Sequence, residues 1–140
     1  SSPTLAYRAY PTLLDLAEAS DMLLVACEGG DATRDLVDAD VLKALGPDGF
    51  LINAARGTII DQPALIAALR DGGIAGAAMD VFDSEPEVPA ELMAMENVVL
   101  TPHIASSTHE TRRAMADLVY DNLRAHFDGK PVLTPVPPQI

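Results

Sequence analysis

The stretch from Phe50 to Asp61, which reads FLINAARGTIID, constrains the fold most, because an apolar block ends abruptly at a charged residue set between small ones. The block follows a turn signal rich in glycine and proline, and a run in that setting is typical of a strand covered on both faces. Gly57 permits a sharp turn directly after Arg56. The pattern predicts a buried strand that carries an arginine to a loop.

Arg56 is therefore a candidate binding residue. Ligands in open α/β sheets bind beside the carboxyl ends of the strands, and a guanidinium group offers a planar pair of donors to an anion. Ala54 and Ala55 leave room for a ligand beside the backbone. This stretch alone fits equally well an arginine that pairs with a nearby carboxylate at the surface of a domain.

Apolar runs of strand length alternate with helical patterns four times along the chain. The predicted strands are residues 22–26, 50–52, 74–79 and 98–100. Such alternation predicts an α/β fold, in which a parallel sheet carries crossover helices on both faces.

Capping residues predict where the helices begin. Pro11 fits the first turn of a helix, Asp38 and Asp61 can cap the next two, and Ser107 opens a capping box that Glu110 completes. The last helix should run for about five turns with one apolar stripe. Between the last two strands, residues 83–96 predict a long loop with one helical turn, and loops of that length are usually functional or disordered.

Three of the four predicted strands carry an unusual polar residue at the carboxyl end, namely Arg56, Asp80 and His103. The carboxyl ends of parallel strands share one edge of the sheet. A purely structural interpretation would require three separate coincidences at that edge.

The charge balance excludes some classes of partner. Nine Lys and Arg residues against 21 Asp and Glu give a formal charge of −12, which argues against nucleic acid and anionic membranes, since both need a basic patch. Cys27 is the only cysteine, so no internal disulfide is possible and a reducing cytoplasm is the simplest location. No apolar run approaches the roughly 20 residues of a membrane span.

Three segments together resemble the D-isomer-specific 2-hydroxyacid dehydrogenases, especially the glyoxylate and hydroxypyruvate reductase branch. These segments are NAARGTIID at 53–61, AAMDVFDSEP at 77–86 and LTPHIASSTHET at 100–111. Their order, spacing and flanks agree with the family, and the resemblance extends over essentially the whole chain.

The resemblance implies that Arg56, Glu85 and His103 are the catalytic residues. Reduction of a 2-oxo acid needs an anchor for the carboxylate, a proton for the developing alkoxide and a hydride. Arg56 offers two parallel donors, and histidine changes charge near neutral pH, which suits His103 as an acid for reduction and a base for oxidation. Glu85 would pair with the imidazole and orient it, as in hydrolase triads.

Each catalytic residue also has a structural interpretation. His103 could cap nearby backbone in a Thr-Pro turn, and Glu85 could belong to a solvated acidic run. We assign no catalytic role to His109, Glu110 or His126, which fit surface, cap and helix-dipole positions.

The resemblance also implies an NAD(P) site and no metal. Asp80 would accept from the carboxamide amine of the nicotinamide, although it could instead be a plain turn cap. Cys27, at the end of the family's third strand, would touch the nucleoside through its backbone, although such a cysteine is more often a small buried hydrophobe. The implied cofactor-binding residues are Cys27, Ala54, Ala55, Arg56, Asp80, His103 and Ala105.

The nine glycines contain no G-x-G-x-x-G turn, which the family uses to hold the pyrophosphate. The resemblance therefore implies a partial Rossmann-like NAD(P)-binding domain at 1–129, which lacks the first two strands. The extended tail at 130–140 would return to an absent substrate domain. Residues 1–3 resemble the segment that reads the ribose and favour NADP over NAD. We expect a fragment of a longer enzyme, inactive alone, in which Leu23–Ala26 is separated from the strand at Leu51–Asn53.

Two functions follow as hypotheses. The first is an oxidoreductase that transfers a hydride between NAD(P)H and a small 2-oxo or 2-hydroxy acid, such as glyoxylate or hydroxypyruvate. The rival is a non-catalytic binding or dimerisation module of the same fold. In either case the resemblance implies a homodimer, which the long helix could hold together.

Overall fold

The computed structural model describes residues 7–136, and the chain divides into two compact units, Ser1–His103 and Ile104–Ile140. Each unit is described by itself. The strands are β1 Met22–Val25, β2 Phe50–Asn53, β3 Gly76–Met79 and β4 Val98–Leu100, and the α-helices are α1 Leu13–Glu18, α2 Ala39–Leu45, α3 Gln62–Arg70, α4 Ala90–Met93 and α5 His109–Phe127.

All four strands form one parallel sheet in the order β1-β2-β3-β4, which confirms the predicted α/β fold. The expectation that the first of these strands is separated from the second is wrong, because Met22 pairs with Phe50 and Val25 with Asn53. Consecutive strands joined by a crossover helix are usually neighbours, and here a single α-helix, α2, lies between the two strands in sequence.

One face of the sheet packs against the helices of the first unit. Leu23, Leu51 and Met79 share a buried cluster with Leu42 of α2 and Leu65 of α3. At roughly 25 cal/mol per Å² of buried apolar area, this cluster is the main stabilising contribution of the unit.

The other face leaves large apolar side chains in solvent. Met22, Leu24, Phe50 and Val99 are 63%, 61%, 43% and 64% exposed. The predictions of helices on both faces, and of a second strand covered on both faces, are therefore wrong for residues 7–103. These strands carry apolar residues on an exposed face, where a half-buried strand normally carries polar ones, so the continuous runs were misleading here.

Short polar side chains fix the starts of two helices as predicted. Asp38 accepts hydrogen bonds from the N–H groups of Asp40 and Val41 at the start of α2. Asp61 accepts from the N–H of Ala64 at the start of α3. The first helix begins later than predicted, since Thr12 is its N-cap and Pro11 lies outside it.

The second unit consists of α5 and the segment after it. The prediction of Ser107 as N-cap is wrong by one residue, because Thr108 accepts from the N–H of Thr111. Ser107 instead accepts hydrogen bonds from the guanidinium of Arg112. The tail is attached to the helix through the side chain of Asn122, whose Oδ1 accepts from the N–H of Thr134 at 3.1 Å.

No helix in the described part of the chain has the length and apolar character needed to span a membrane. The segment at residues 1–3, interpreted above as reading the ribose, lies outside the described residues, as does the end of the tail from 137 to 140.

Candidate active site

The carboxyl ends of all four strands are aligned at one edge of the sheet. Val25 is in register with Asn53, Asn53 with Met79, and Met79 with Leu100. The segments that leave these strands therefore emerge side by side, and they carry the predicted residues of the first unit. This alignment is the structural basis of the candidate active site.

The loop that presents Arg56 is shaped by the buried side chain of Asn53. Its Oδ1 accepts from the N–H of Ala55 at 3.0 Å, and its Nδ2 donates to the carbonyl of Arg56 at 3.0 Å. Asn53 is fully buried, so both bonds replace hydration that the side chain has lost. Asn53 was not among the residues predicted for the site. The available signal was an asparagine at the end of a strand, where its side chain can bond to the backbone two residues on.

Arg56 leaves this loop as an exposed side chain, and its Nη1 donates to the carbonyl of Ala55 at 2.6 Å. It lines a cavity of about 500 Å³ together with mostly small residues that follow β1 and β2. The other lining residues are Ala26, Cys27, Glu28, Gly29, Ala54 and Ala55. Cys27 is exposed, so its interpretation as a buried hydrophobe is wrong. The floor of small residues leaves space against which a flat ring could lie.

His103 follows β4 in an unusual backbone conformation, with φ of 53°. Such a value is uncommon outside glycine, and residues held there tend to lie at functional sites. The N–H of His103 donates to the carbonyls of Asp80 at 2.9 Å and of Thr101 at 3.1 Å. Asp80 is buried, and its carboxylate accepts a hydrogen bond from the hydroxyl of Thr101. Asp80 thus holds the turn that presents His103.

Glu85 and His103 form a directly bonded pair. Nδ1 of His103 lies 2.8 Å from Oε2 of Glu85, while Oε1 of Glu85 accepts from the N–H of Phe82 at 3.0 Å. The side chains are 49% exposed for His103 and 35% for Glu85, so the pair is open to solvent on one side. The Glu85–Pro86 peptide bond is cis. With Nδ1 engaged, Nε2 of the imidazole is the nitrogen left for another partner.

The surroundings lower the pKa of Glu85 below its ordinary value. The hydrogen bond from His103 is the largest cause, and the bond from the N–H of Phe82 follows. Partial burial opposes the shift, and the charges of His103 and Arg56 reinforce it. Glu85 is thus an ionised acceptor at neutral pH, and the field of Arg56 reaches it.

A second cavity, of about 270 Å³, lies beside the imidazole. Its lining residues are Phe82, Glu85, Pro86, Val88, Pro102 and His103. Gly57 allows the loop of Arg56 to pack directly against the loop of Glu85, because any Cβ on residue 57 would overlap the backbone of Phe82 and Asp83. The close approach of these backbones keeps the two cavities at neighbouring places on the edge.

Not every predicted residue belongs to this unit. Ala105 lies in a turn before α5, in the second unit, and His109, Glu110 and His126 lie on α5 itself. Among residues 7–136, no group of three or more His, Cys, Asp or Glu side chains is arranged to hold a metal ion.

Comparisons with known proteins agree on one family. A family model described as "D-isomer specific 2-hydroxyacid dehydrogenase, NAD binding domain" matches residues 3–105. Glyoxylate/hydroxypyruvate reductase A of Arabidopsis thaliana is 57% identical over 134 residues, which cover 96% of this chain and 43% of that protein. Hydroxyphenylpyruvate reductase of Plectranthus scutellarioides is 52% identical over the same shares of both chains.

A solved structure with the same fold is the NADPH-dependent glyoxylate/hydroxypyruvate reductase of Sinorhizobium meliloti in complex with NADP and malonate. It has a TM-score of 0.95 and 50% identity, over 97% of this chain and 43% of its own. The chain thus spans less than half the length of the relatives it matches.

Proposed function

Because this chain belongs to the D-isomer-specific 2-hydroxyacid dehydrogenase family, we propose that the protein reduces a small 2-oxo acid to the 2-hydroxy acid with NAD(P)H. Glyoxylate and hydroxypyruvate are the proposed substrates, since reductases of these acids are among the most similar proteins. The activity is that of the protein at its full natural length.

Arg56 binds the carboxylate of the substrate in this proposal. Its guanidinium can donate two parallel hydrogen bonds, and charge-assisted bonds of this kind are about twice as strong as neutral ones. The bond from Nη1 to the carbonyl of Ala55 holds the side chain close to its own loop. A carboxylate would compete for that donor and engage the others of the fork.

His103 moves the proton. Glu85 is ionised and can only accept a hydrogen bond, so Nδ1 of His103 carries a proton and donates it to Glu85. Nε2 is then the ring nitrogen available to the substrate. During reduction, the protonated imidazole would deliver the Nε2 proton to the carbonyl oxygen of the substrate. The neutral imidazole would take the hydroxyl proton back at the same atom during oxidation.

The cofactor would supply the hydride when bound. The cavity floor of Cys27, Ala54 and Ala55 fits a flat nicotinamide ring, since these side chains are small and two of the three are exposed. We further propose Asp80, Arg56, His103 and Ala105 as cofactor contacts, and NADP over NAD. The complex of the S. meliloti reductase with NADP supports the last choice.

The observation that carries the proposal is the 2.8 Å pair of Glu85 and His103, placed at the same sheet edge as Arg56. The test is oxidation of NADPH and NADH by the full-length protein, with glyoxylate and hydroxypyruvate as acceptors. We expect His103→Gln to lower kcat by about 10²-fold or more, the usual contribution of a positioned acid or base. His109→Gln, a histidine on α5, is the matched control and should retain activity.

Absence of oxo-acid-dependent oxidation in the wild-type protein would refute the proposal, and so would equal activity of the two histidine variants. The rival hypothesis of a non-catalytic binding module predicts both of these results. Saturable binding of the cofactor without any turnover would favour that rival.

We also propose that the protein is a cytoplasmic homodimer, in which residues 1–129 belong to the cofactor-binding domain and 130–140 to a connection toward a substrate domain. The apolar stripe of α5 supports self-association, since Met115, Leu118 and Leu123 are 57%, 43% and 52% exposed. Light scattering of the full-length protein tests the assembly, and a monomeric mass would contradict it.

A further inference from the structure

Gly29 and Arg56 both line the larger cavity, and Gly29 lies directly against the side chain of Arg56. A Cβ built on Gly29 would lie 2.6 Å from Cγ and 2.9 Å from Cβ of Arg56. Carbon atoms without a bond between them prefer about 3.5–4.0 Å. The side chain of Arg56 therefore occupies space that is free only because residue 29 has no side chain.

The neighbouring glycine has no such role. A Cβ on Gly30 would meet nothing within 4 Å. Its φ of 163° is extended backbone that any residue can adopt. Gly29 also has no φ in the left-handed region, so an alanine at either position would bring no backbone strain. An added methyl group would therefore meet Arg56 at position 29 and open space at position 30.

An alanine at position 29 would displace the arginine. Rotation of Arg56 about its first side-chain bond moves Cγ away, but Cβ stays fixed to the backbone, so the loop must also shift by a few tenths of an ångström. The guanidinium lies at the far end of the side chain, and a rotation at its base moves that group much farther than Cγ. Its bond to the carbonyl of Ala55 would be lost in this movement.

We propose that Gly29 is a positioning residue, which sets the place of the Arg56 guanidinium by leaving room for the base of its side chain. This inference rests on the proposed function, in which Arg56 binds the substrate carboxylate. Displacement of a substrate-positioning group by about 1 Å can lower the rate about 10²-fold. Gly29 acts on the substrate only through Arg56 in this role, and it also lines the cavity proposed for the cofactor.

The test compares Gly29→Ala with Gly30→Ala in the full-length enzyme. We expect Gly29→Ala to raise KM for the 2-oxo acid about tenfold or more. KM for the cofactor should change much less, and Gly30→Ala should match the wild type in both. Competitive inhibition by malonate measures binding of a carboxylate without turnover, and it should weaken in Gly29→Ala alone.

Arg56→Ala provides the second arm, because two residues that act through one contact are not additive. The Gly29→Ala change should raise KM for the 2-oxo acid about tenfold in the wild type. The rise should be much smaller in the Arg56→Ala background, where the remaining Cβ still meets residue 29 but no guanidinium is left to be displaced. Equal effects of the two glycine variants, or an undiminished cost in that background, would overturn the inference. Full activity of Arg56→Ala would instead refute the proposed function itself, so the two failures are distinguishable.

Discussion

At the scale of single residues, each oxygen of the Glu85 carboxylate has its own hydrogen-bond partner, and these two bonds define the candidate acid–base pair. Oε1 accepts from the N–H of Phe82 within its own loop, and Oε2 contacts the imidazole of His103. The first bond fixes the carboxylate, and the second fixes the ring. A carboxylate that attracted His103 by charge alone, without a hydrogen bond to Nδ1, would not fix the orientation of the ring.

The lowered pKa of Glu85 predicts a pH-dependent contribution to stability. A carboxyl group whose pKa is lower in the folded state stabilises it fully above the unfolded value, near 4.5. This contribution is lost as the pH falls through the lower pKa of the folded protein. The difference in free energy of unfolding between wild type and Glu85→Gln should therefore be largest near neutral pH and shrink below pH 4.5.

Urea unfolding at a series of pH values measures this difference. Glu87→Gln removes one negative charge from the same loop without touching the bonds to His103 or Phe82, and it is the matched control. Identical differences from wild type for both glutamine variants at every pH would contradict the assignment of the effect to the Glu85–His103 pair.

Asn53 supports a second prediction at this scale. Asn53→Leu removes both side-chain bonds and leaves the N–H of Ala55 and the carbonyl of Arg56 without them, which should cost about 1–3 kcal/mol in free energy of unfolding. Asn53→Asp keeps the acceptor and loses the donor. Its effect on KM for the 2-oxo acid therefore tests whether the carbonyl of Arg56 must be held. Asn97→Ala, at an exposed asparagine, is the control.

These residues also show which parts of the site could be predicted from sequence. Arg56, Asp80 and His103 were predicted at one sheet edge because each follows a short apolar run, and parallel strands end together. The bonds of Asn53 had a local signal that the prediction did not use, whereas the contact of Gly29 could not be predicted, since it depends on how two loops fold back. The Gly29–Arg56 contact also requires β1 beside β2, and the sequence had predicted the opposite.

At the scale of helices and strands, local chemistry predicted the starts of two helices. Asp38 and Asp61 fit the N-cap rule, and both are N-caps. Before α5, serine and threonine stand next to each other, and both are favoured N-cap residues, although only Ser107 has a glutamate three residues later. The structure selects Thr108, while Ser107 binds Arg112. The choice depends on a side-chain contact that no pattern of adjacent residues specifies.

The Asp38 cap gives a prediction for α2. Asp38→Ala removes the acceptor for two backbone N–H groups and should cost about 1 kcal/mol in free energy of unfolding. Asp38→Asn retains an oxygen at the same position and is the matched control, with a cost close to zero. Chemical denaturation of both variants measures the difference. A loss of the same size in both would assign the effect to the charge of Asp38 rather than to the cap.

At the scale of the whole molecule, the sheet of the first unit has one buried and one exposed apolar face. Continuous apolar runs favour a sheet covered on both faces, because the strands of a half-exposed sheet usually alternate apolar and polar residues. Exposed apolar patches of several neighbouring side chains are uncommon on soluble monomers. Four large side chains from β1, β2 and β4 lie on this face.

The two faces can be compared at adjacent positions of β1. Leu23 is 4% exposed and belongs to the core, whereas the next residue, Leu24, is 61% exposed on the opposite face. Leu23→Lys buries an unpaired charge and should abolish cooperative unfolding of the 140-residue chain. Leu24→Lys should change its free energy of unfolding by less than about 1 kcal/mol, as at other exposed positions, and should reduce aggregation. Chemical denaturation and sedimentation of both variants provide the measurements. If Leu24→Lys destabilised the chain as severely as Leu23→Lys, that face would have to be covered in solution, and the one-sided packing of the sheet would be wrong.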